Sequence, residues 1–509
     1  MGLRSRAALA ADRSVTLGDL LPRLAEVHGD RPLVEEAGAD GAVLRYTYRE
    51  AARRVELIAA GVAARTTPGD RVVVATPNGY DQLLVALGAC RAGAVAVPVN
   101  PLMRAEEIDH VVTDSGATLV VREVGEVLSG APLQIAEINA RRGQPTDVAA
   151  IFYTSGTTGK PKGAELTHRA LAGSLPVLAL VPTGLRRDEL VAGLPVAHIM
   201  GFAVLLSAAA GGIPVYAFAK FRAGHVLDAI EQRRSTIFVG VPAMYRLLLE
   251  AGADQRDLSS IRMWASGADV MPPDLARRFQ RMGAAVKLPL LHLSLGAAAF
   301  AEGYGMVETG GAVAAKLSPP GLAFPIPFIG GILGVPIPGY HLRVVDADGA
   351  EVGMGAIGEL LVRGPGVLSG YHGDVTATAR ILDPDGWLHT GDLARRGLFG
   401  TVSFAGRAKD VIKSGGYSVY AVEIERAMEE HPDVLEAAAL GIPDERLGEL
   451  TAVAIRVREG ARLTEAQLLA WGEERLSGYK RPRMVRIVDD LPRTGTQKVA
   501  KARLIPLFD

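Results

Sequence analysis

The sequence has one cysteine, Cys90, in 509 residues. That excludes an internal disulfide and any metal site built from several thiolates, and it points to a cytoplasmic chain. The setting Leu87-Gly88-Ala89-Cys90 marks a small packed side chain rather than a nucleophile. No run of basic residues occurs and the net charge is −1, so neither nucleic acid nor an anionic membrane is indicated as a partner. The start, Met1-Gly2-Leu3-Arg4-Ser5-Arg6, lacks the apolar core of a signal peptide and reads as a short ragged lead-in. Unbroken apolar runs are also missing. Leu190–Ala219 is interrupted by Pro195, Gly201, Gly211-Gly212 and Pro214, and Gly321–Tyr340 by Pro325, Pro327, Pro336 and Pro338, so no transmembrane segment is expected.

Lysine is scarce, 10 of the 55 basic residues. Arginine therefore supplies general solubility, and Lys160, Lys162, Lys409, Lys413, Lys480, Lys498 and Lys501 stand in or beside the motifs that carry chemistry, where a compact, flexible ammonium is wanted. The chain also exceeds the ~250–300 residues at which a single core stops growing, so at least two domains are expected.

The densest motif is Tyr153-Thr154-Ser155-Gly156-Thr157-Thr158-Gly159-Lys160-Pro161-Lys162-Gly163, placed after the apolar strand pattern Val148–Phe152. Glycines and hydroxyls at the end of a strand present N–H and O–H donors to one anion, and two lysines add charge: a polyphosphate is the natural ligand. Pro161 follows Gly159-Lys160, so this is not a Walker A loop opening a helix. Gly353-Met354-Gly355-Ala356-Ile357-Gly358 has the dinucleotide spacing but leads into the strand pattern Glu359–Val362, and reads as a hairpin connection.

Elsewhere helical spacing covers Tyr48–Ala63 and Tyr80–Arg91, and strand patterns cover Arg71–Ala75, Ala94–Val99 and Thr118–Val121, a right-handed strand–helix–strand arrangement. Thr236–Tyr245 reads as a strand entering a helix, and Met263–Asp269 as a strand with a glycine turn at its end. Beyond Lys409, an amphipathic helix at Val422–Glu430 and strands at Leu435–Ala439, Thr451–Arg456 and Met484–Val488 form a compact run.

The glycine-rich loop resembles, nearly letter for letter, the phosphate-binding signature of the adenylate-forming superfamily of acyl-CoA synthetases, aryl-CoA ligases, luciferases and peptide-synthetase adenylation domains. The resemblance runs from about Leu17 to Phe508. It implies an α/β fold: a large multi-sheet N-terminal domain, residues 1–408, and a small mobile α+β domain, residues 409–509, with Lys409 at the hinge. It implies that Thr154, Ser155, Gly156, Thr157, Thr158, Gly159, Lys160 and Lys162 hold phosphate, and that Gly267 and Ala268 bring backbone against adenine. In Gly303-Tyr304-Gly305-Met306-Val307-Glu308-Thr309 it implies that Tyr304, with Gly305, Met306 and Val307, contacts the nucleotide and that Glu308 holds Mg²⁺. Val307 stands where a threonine is usual. Asp392 would take the ribose diol and Arg407 the ribose or a phosphate. His198, in Leu194-Pro195-Val196-Ala197-His198, would orient the acyl group. Lys413, Ser414, Gly415, Gly416 and Tyr417 would form the loop lining the thiol tunnel, and Lys498 would be the catalytic lysine of Leu491–Lys498, with Gln497 where glycine is usual.

The implied activity is ATP-dependent activation of a small-molecule carboxylate to acyl-AMP and then to acyl-CoA, with ATP, Mg²⁺ and coenzyme A as cofactors and co-substrates. No protein nucleophile is required, which fits the lack of a Ser/His/Asp or Cys/His constellation. Phe202, Val239, Gly240 and Val241 are the acyl-pocket candidates; carrying no charge, they favour a medium- or long-chain fatty acid. Aryl acids, short dicarboxylates of the malonate type, a carrier-protein acceptor and a degenerate adenylate-binding protein stay open, as does a homodimer.

Overall fold

The helical spacing at 48–63 forms a helix with those bounds, Tyr48–Ala63, and its start is chemically marked: Glu50 N donates to Thr47 Oγ1 at 3.3 Å while Thr47 N donates to Glu50 Oε2 at 2.8 Å. A cap of this kind contributes about 1 kcal/mol. The helix packs on Tyr80–Arg91, where Gly88 permits close approach: a Cβ there would lie 2.4 Å from Ile58 Cγ2.

The computed structural model describes residues 3–38, 43–128, 139, 141–154, 161–175, 178, 188–288, 293–318, 332–398, 401–415, 417–458, 460–493 and 499–508. The chain divides into two compact units, Met1–Pro325 with Pro336–His341 and Arg363–Gly386, and Ile326–Val335 with Leu342–Val362 and Trp387–Asp509.

The first unit holds a six-stranded sheet in the order Gly370–Tyr371, Lys162–Thr167, Val148–Thr154, Val95–Pro98, Arg71–Val74, Leu119–Val121. The last four are parallel, and Lys162–Thr167 runs antiparallel to Val148–Thr154. In a second sheet Gly311–Ser318, Ala299–Met306, Met263–Gly267, Ile237–Gly240, Leu190–Ala192, Val215–Phe218, Pro32–Ala37 and Val43–Thr47 follow one another, the first and last of these pairs antiparallel and the rest parallel. One face of it is an aromatic core in which Trp264, Tyr245, Phe238, Phe279 and Phe300 meet with centroids 4.9–6.1 Å apart. Such edge-on pairs add to simple area burial.

In the second unit, Ile332–Pro336, Val402–Arg407, Leu388–Arg396, Ile357–Arg363 and His341–Val345 lie side by side, and a five-stranded sheet joins Tyr417–Tyr420, Val411–Ser414, Gly448–Val457, Val434–Asp444 and Met484–Val488. Helices Ala421–Glu429 and Glu465–Arg475 cover the latter through Ile424, Met428 and Leu468, over Ile412, Val453 and Val485.

Three expectations change. Leu3–Ala11 is a helix rather than a ragged lead-in. The strands expected at Leu435–Ala439 and Thr451–Arg456 are longer, because their antiparallel pairing continues to Asp444 and Gly448. The left-handed residue after Met263–Gly267 is Ala268, φ +67°, and not the glycine. The uncharged stretch at 190–219 resolves into two short strands and the helix Ile199–Gly211, while 319–331 lies outside the described residues. Among the described residues no helix is long and apolar enough to cross a membrane. Cys90 is buried, its Sγ donating to Ala149 O at 3.1 Å, and burial pushes the thiol up to about 12.

Candidate active site

Parallel sheets gather ligands at the carboxyl ends of their strands. In the first unit those ends bring forward Thr154, Gly240, Gly267 and the segment Tyr304–Glu308. Thr154 faces Lys162 in register across the antiparallel pair. Ser155, Gly156, Thr157, Thr158, Gly159 and Lys160, which those two residues flank, lie outside the described residues. Lys162 Nζ is 3.0 Å from Asp374 Oδ2.

Gly267 and Gly303 are register partners. A Cβ on Gly267 would stand 3.2 Å from Gly303 O and 3.5 Å from Met200 Cε, so this face of the sheet is the one that helix Ile199–Gly211 covers. Ala268 holds the left-handed conformation that a non-glycine residue adopts only when its surroundings enforce it. A Cβ on Gly305 would lie 2.0 Å from Gly311 O, so the bulge after Tyr304 requires glycine.

Glu308 sits in the short 3-10 turn Val307–Thr309. Thr309 fixes that turn, receiving Met306 N at 3.0 Å and donating to Gly311 O at 2.7 Å. Glu308 Oε1 accepts from Tyr371 Oη at 2.8 Å. A carboxylate with one oxygen anchored in this way suits a hard divalent cation, which takes one or two protein carboxylates and fills its shell with substrate phosphates and water.

His198 is the N-cap of helix Ile199–Gly211, its Nδ1 accepting from Met200 N at 3.3 Å. That bond assigns the ring proton to Nε2 and leaves Nε2 the donor, suited to a carboxylate or phosphate oxygen.

The acyl-pocket candidates separate. Phe202 is fully buried, its ring edge-on to Phe152 at 5.2 Å, and packs inward. Val241 is buried at the start of helix Pro242–Glu250, and Gly240 is turned to the aromatic side, where a Cβ would lie 2.9 Å from Phe238. Val239 alone of the four is half-buried. It is in register with Ala265, and Ala265 with Ala301, on the face shared by Gly267 and Gly303. Helix Ile199–Gly211 reaches this face at Met200, and along the otherwise buried helix Met200, Ala203, Val204 and Ser207 are half-exposed at helical spacing. The sequence reading missed this stripe, because the helix is apolar all round and its periodicity selects no face.

In the second unit Asp392 and Arg407 are register partners on neighbouring strands, Arg407 Nε lying 3.0 Å from Asp392 Oδ1. Lys409 stands in the 3-10 turn Ala408–Asp410. Val411–Ser414 and Tyr417–Tyr420 form a hairpin in which Gly415 takes φ +58° and donates to Leu447 O at 2.8 Å. Lys413 Nζ donates to Ser418 Oγ at 2.7 Å, and Tyr417 stacks on Tyr479 with centroids 4.8 Å apart. Gly416 and Lys498 lie outside the described residues.

Residues 21–372 match the family described as AMP-binding enzyme, and residues 423–498 the AMP-binding enzyme C-terminal domain. The chain belongs to the AMP-binding enzymes. This places it in the adenylate-forming superfamily, as an AMP-forming acid–thiol ligase. It is 38% identical to a feruloyl-CoA synthase of Amycolatopsis sp over 90% of this chain and 93% of the relative, and 32% identical to the indoleacetate–CoA ligase of Aromatoleum aromaticum over 89% and 92%. Among solved structures, ATP-bound MatB from Rhodopseudomonas palustris superposes with TM-score 0.80 at 29% identity, covering 97% of this AMP-binding enzyme and 99% of that chain.

Proposed function

We propose that this AMP-binding enzyme activates a broad, planar carboxylic acid of the aryl type and passes the acyl group to coenzyme A in the cytoplasm. The observation carrying this reading is the row of small residues Ala265, Gly267, Ala301 and Gly303 on one face of the sheet, the face that helix Ile199–Gly211 meets at Met200. A floor without projecting side chains leaves width for a ring, whereas a thin alkyl chain needs only a narrow bore. The names of the feruloyl and indoleacetate relatives support the same class. This moves the preferred acid away from the fatty acid expected from uncharged candidates alone, one of which, Phe202, packs inward.

In the first step a carboxylate oxygen attacks the α-phosphorus of ATP and pyrophosphate leaves. His198 Nε2–H orients the acid, and Thr154, Lys162 and the loop between them cradle phosphate. Gly267, Ala268 and the segment Tyr304–Val307 receive the base, while Asp392 and Arg407 serve the ribose. Glu308 holds the Mg²⁺, which when bound neutralises phosphate charge. Lys498 stabilises the charge built up at the α-phosphate and is then withdrawn as the 409–509 domain turns about Lys409. In the second step the CoA thiolate attacks the acyl carbon and AMP leaves, with the turn at Gly415 lining its approach.

The test is carboxylate-dependent ATP–pyrophosphate exchange with ferulate, indoleacetate, octanoate, palmitate and malonate, repeated as AMP release with and without CoA. Exchange confined to the aryl acids and AMP release stimulated by CoA are expected. Exchange confined to octanoate or palmitate would return the assignment to fatty acids.

A further inference from the structure

Tyr371 belongs to none of the motifs that identify the nucleotide site, yet it reaches the residue read here as the metal ligand. Its hydroxyl donates to Glu308 Oε1 at 2.8 Å across a sequence separation of 63 residues. Its backbone is held on several sides. Tyr371 is the register partner of Ala164 on the edge of the six-stranded sheet, its N–H donates to Thr378 Oγ1 at 2.8 Å, and the next N–H, of His372, donates to Gly163 O at 2.8 Å.

The neighbours tie the same segment down. Lys162 Nζ lies 5.5 Å from the Tyr371 ring centroid and 3.0 Å from Asp374 Oδ2, while Asp374 Oδ1 caps helix Val375–Ile381 by accepting from Ala377 N at 2.8 Å. Leu368 N donates to Glu308 O at 2.9 Å, so Glu308 is gripped at its backbone as well as at one carboxylate oxygen.

We propose that Tyr371 is a positioning residue for Glu308: it occupies Oε1 and turns Oε2 toward the divalent cation that accompanies ATP. The inference rests on the reading of Glu308 as the metal ligand. Groups that orient a metal ligand from behind contribute to metal affinity, and their loss costs about 10–100-fold. The mechanism is geometric. A glutamate has three rotatable bonds, and without the phenol donor the cation must meet the cost of ordering them.

The experiment titrates Mn²⁺ onto the enzyme with a non-hydrolysable ATP analogue and reads bound metal by electron paramagnetic resonance, for the wild type, Glu308→Gln and Tyr371→Phe. Glu308→Gln is expected to abolish tight Mn²⁺ binding; retention of that binding would overturn the reading on which the inference rests. Tyr371→Phe keeps the ring and is expected to weaken Mn²⁺ binding about tenfold. It should raise the Mg²⁺ needed for half-maximal pyrophosphate exchange to the same degree, while thiolysis of supplied acyl-adenylate is unchanged. Unaltered Mn²⁺ affinity in Tyr371→Phe, with or without a lowered melting temperature, would reduce the phenol to a structural role and overturn the proposal.

Discussion

Asp392 and Arg407 face one another on adjacent antiparallel strands, Nε to Oδ1 at 3.0 Å, with the aspartate 2% exposed and the arginine side chain 38% exposed. The pair joins a buried anion to a cation that still touches water.

Removing the cation alone therefore leaves a carboxylate charged in a poor solvent. Arg407→Ala is expected to destabilise the second unit by about 2 kcal/mol, below the ~3–5 kcal/mol of a fully buried pair because water reaches the guanidinium. The double change Asp392→Asn with Arg407→Ala should recover most of that loss. Urea midpoints of the three proteins check this, and a double variant no more stable than Arg407→Ala would contradict it.

Acid should weaken the fold through two imidazoles. Burial, the larger cause, and nearby arginines push His28 down to about 4, and burial pushes His168 down to about 4 against the opposing pull of Asp147 and Asp19. Each is neutral in the folded chain while the unfolded chain takes up a proton near the ordinary value of about 6.5. Stability is thus retained above that value and falls as pH drops from about 6.5 to about 4, by up to about 1.4 kcal/mol per pH unit for each histidine. Urea unfolding at pH 7.5, 6 and 5 measures the slope, and His168→Asn should shallow it.

The acyl slot proposed between sheet and helix has a simple steric test. Ala203 is half-exposed, and its Cβ lies 3.5 Å from where a Cβ on Gly311 would stand. Ala203→Phe should fill the slot and raise KM for an aryl acid about tenfold or more, as overpacking by ~1–3 kcal/mol implies, while KM for ATP is unchanged. Equal loss for both substrates would point to a folding defect and remove Ala203 from the slot.

The two half-reactions should separate by lysine. Lys498→Ala is expected to lower adenylation by about 10²–10³-fold and to spare thiolysis of supplied acyl-adenylate. Lys409→Pro should do the reverse by locking the turn Ala408–Asp410. Rapid-quench assays of each step decide, and thiolysis unaffected by Lys409→Pro would move the hinge elsewhere.

Much of the architecture was legible because local signals agreed. Helical spacing of apolar residues announced the helix Tyr48–Ala63, short apolar runs announced the parallel strands, and the absence of a helix after Gly353–Gly358 disqualified that decoy, which leads into strand Ile357–Arg363. What escaped was non-local or without polarity. Helix Ile199–Gly211 is apolar on every side, so only its partners reveal that Met200 lies against Gly267 and Ala203 against Gly311, while Phe202 packs on Phe152. Tyr371 meets Glu308 through a sheet edge that no spacing encodes. The left-handed residue fell on Ala268 rather than on the adjacent glycine, and nothing in the local sequence marks it.

His198 caps helix Ile199–Gly211 and, in the proposed mechanism, presents Nε2 to the acid, so the residue assigned to the acid also sets where that helix begins. Drift in acid preference is thereby channelled. Changes at Ala203, Val204 or Ser207 can resize the slot one turn at a time, whereas a change at His198 alters reactivity and wall together. A lineage diversifying this enzyme, or a designer retargeting it, has its freedom along the helix and almost none at its first residue.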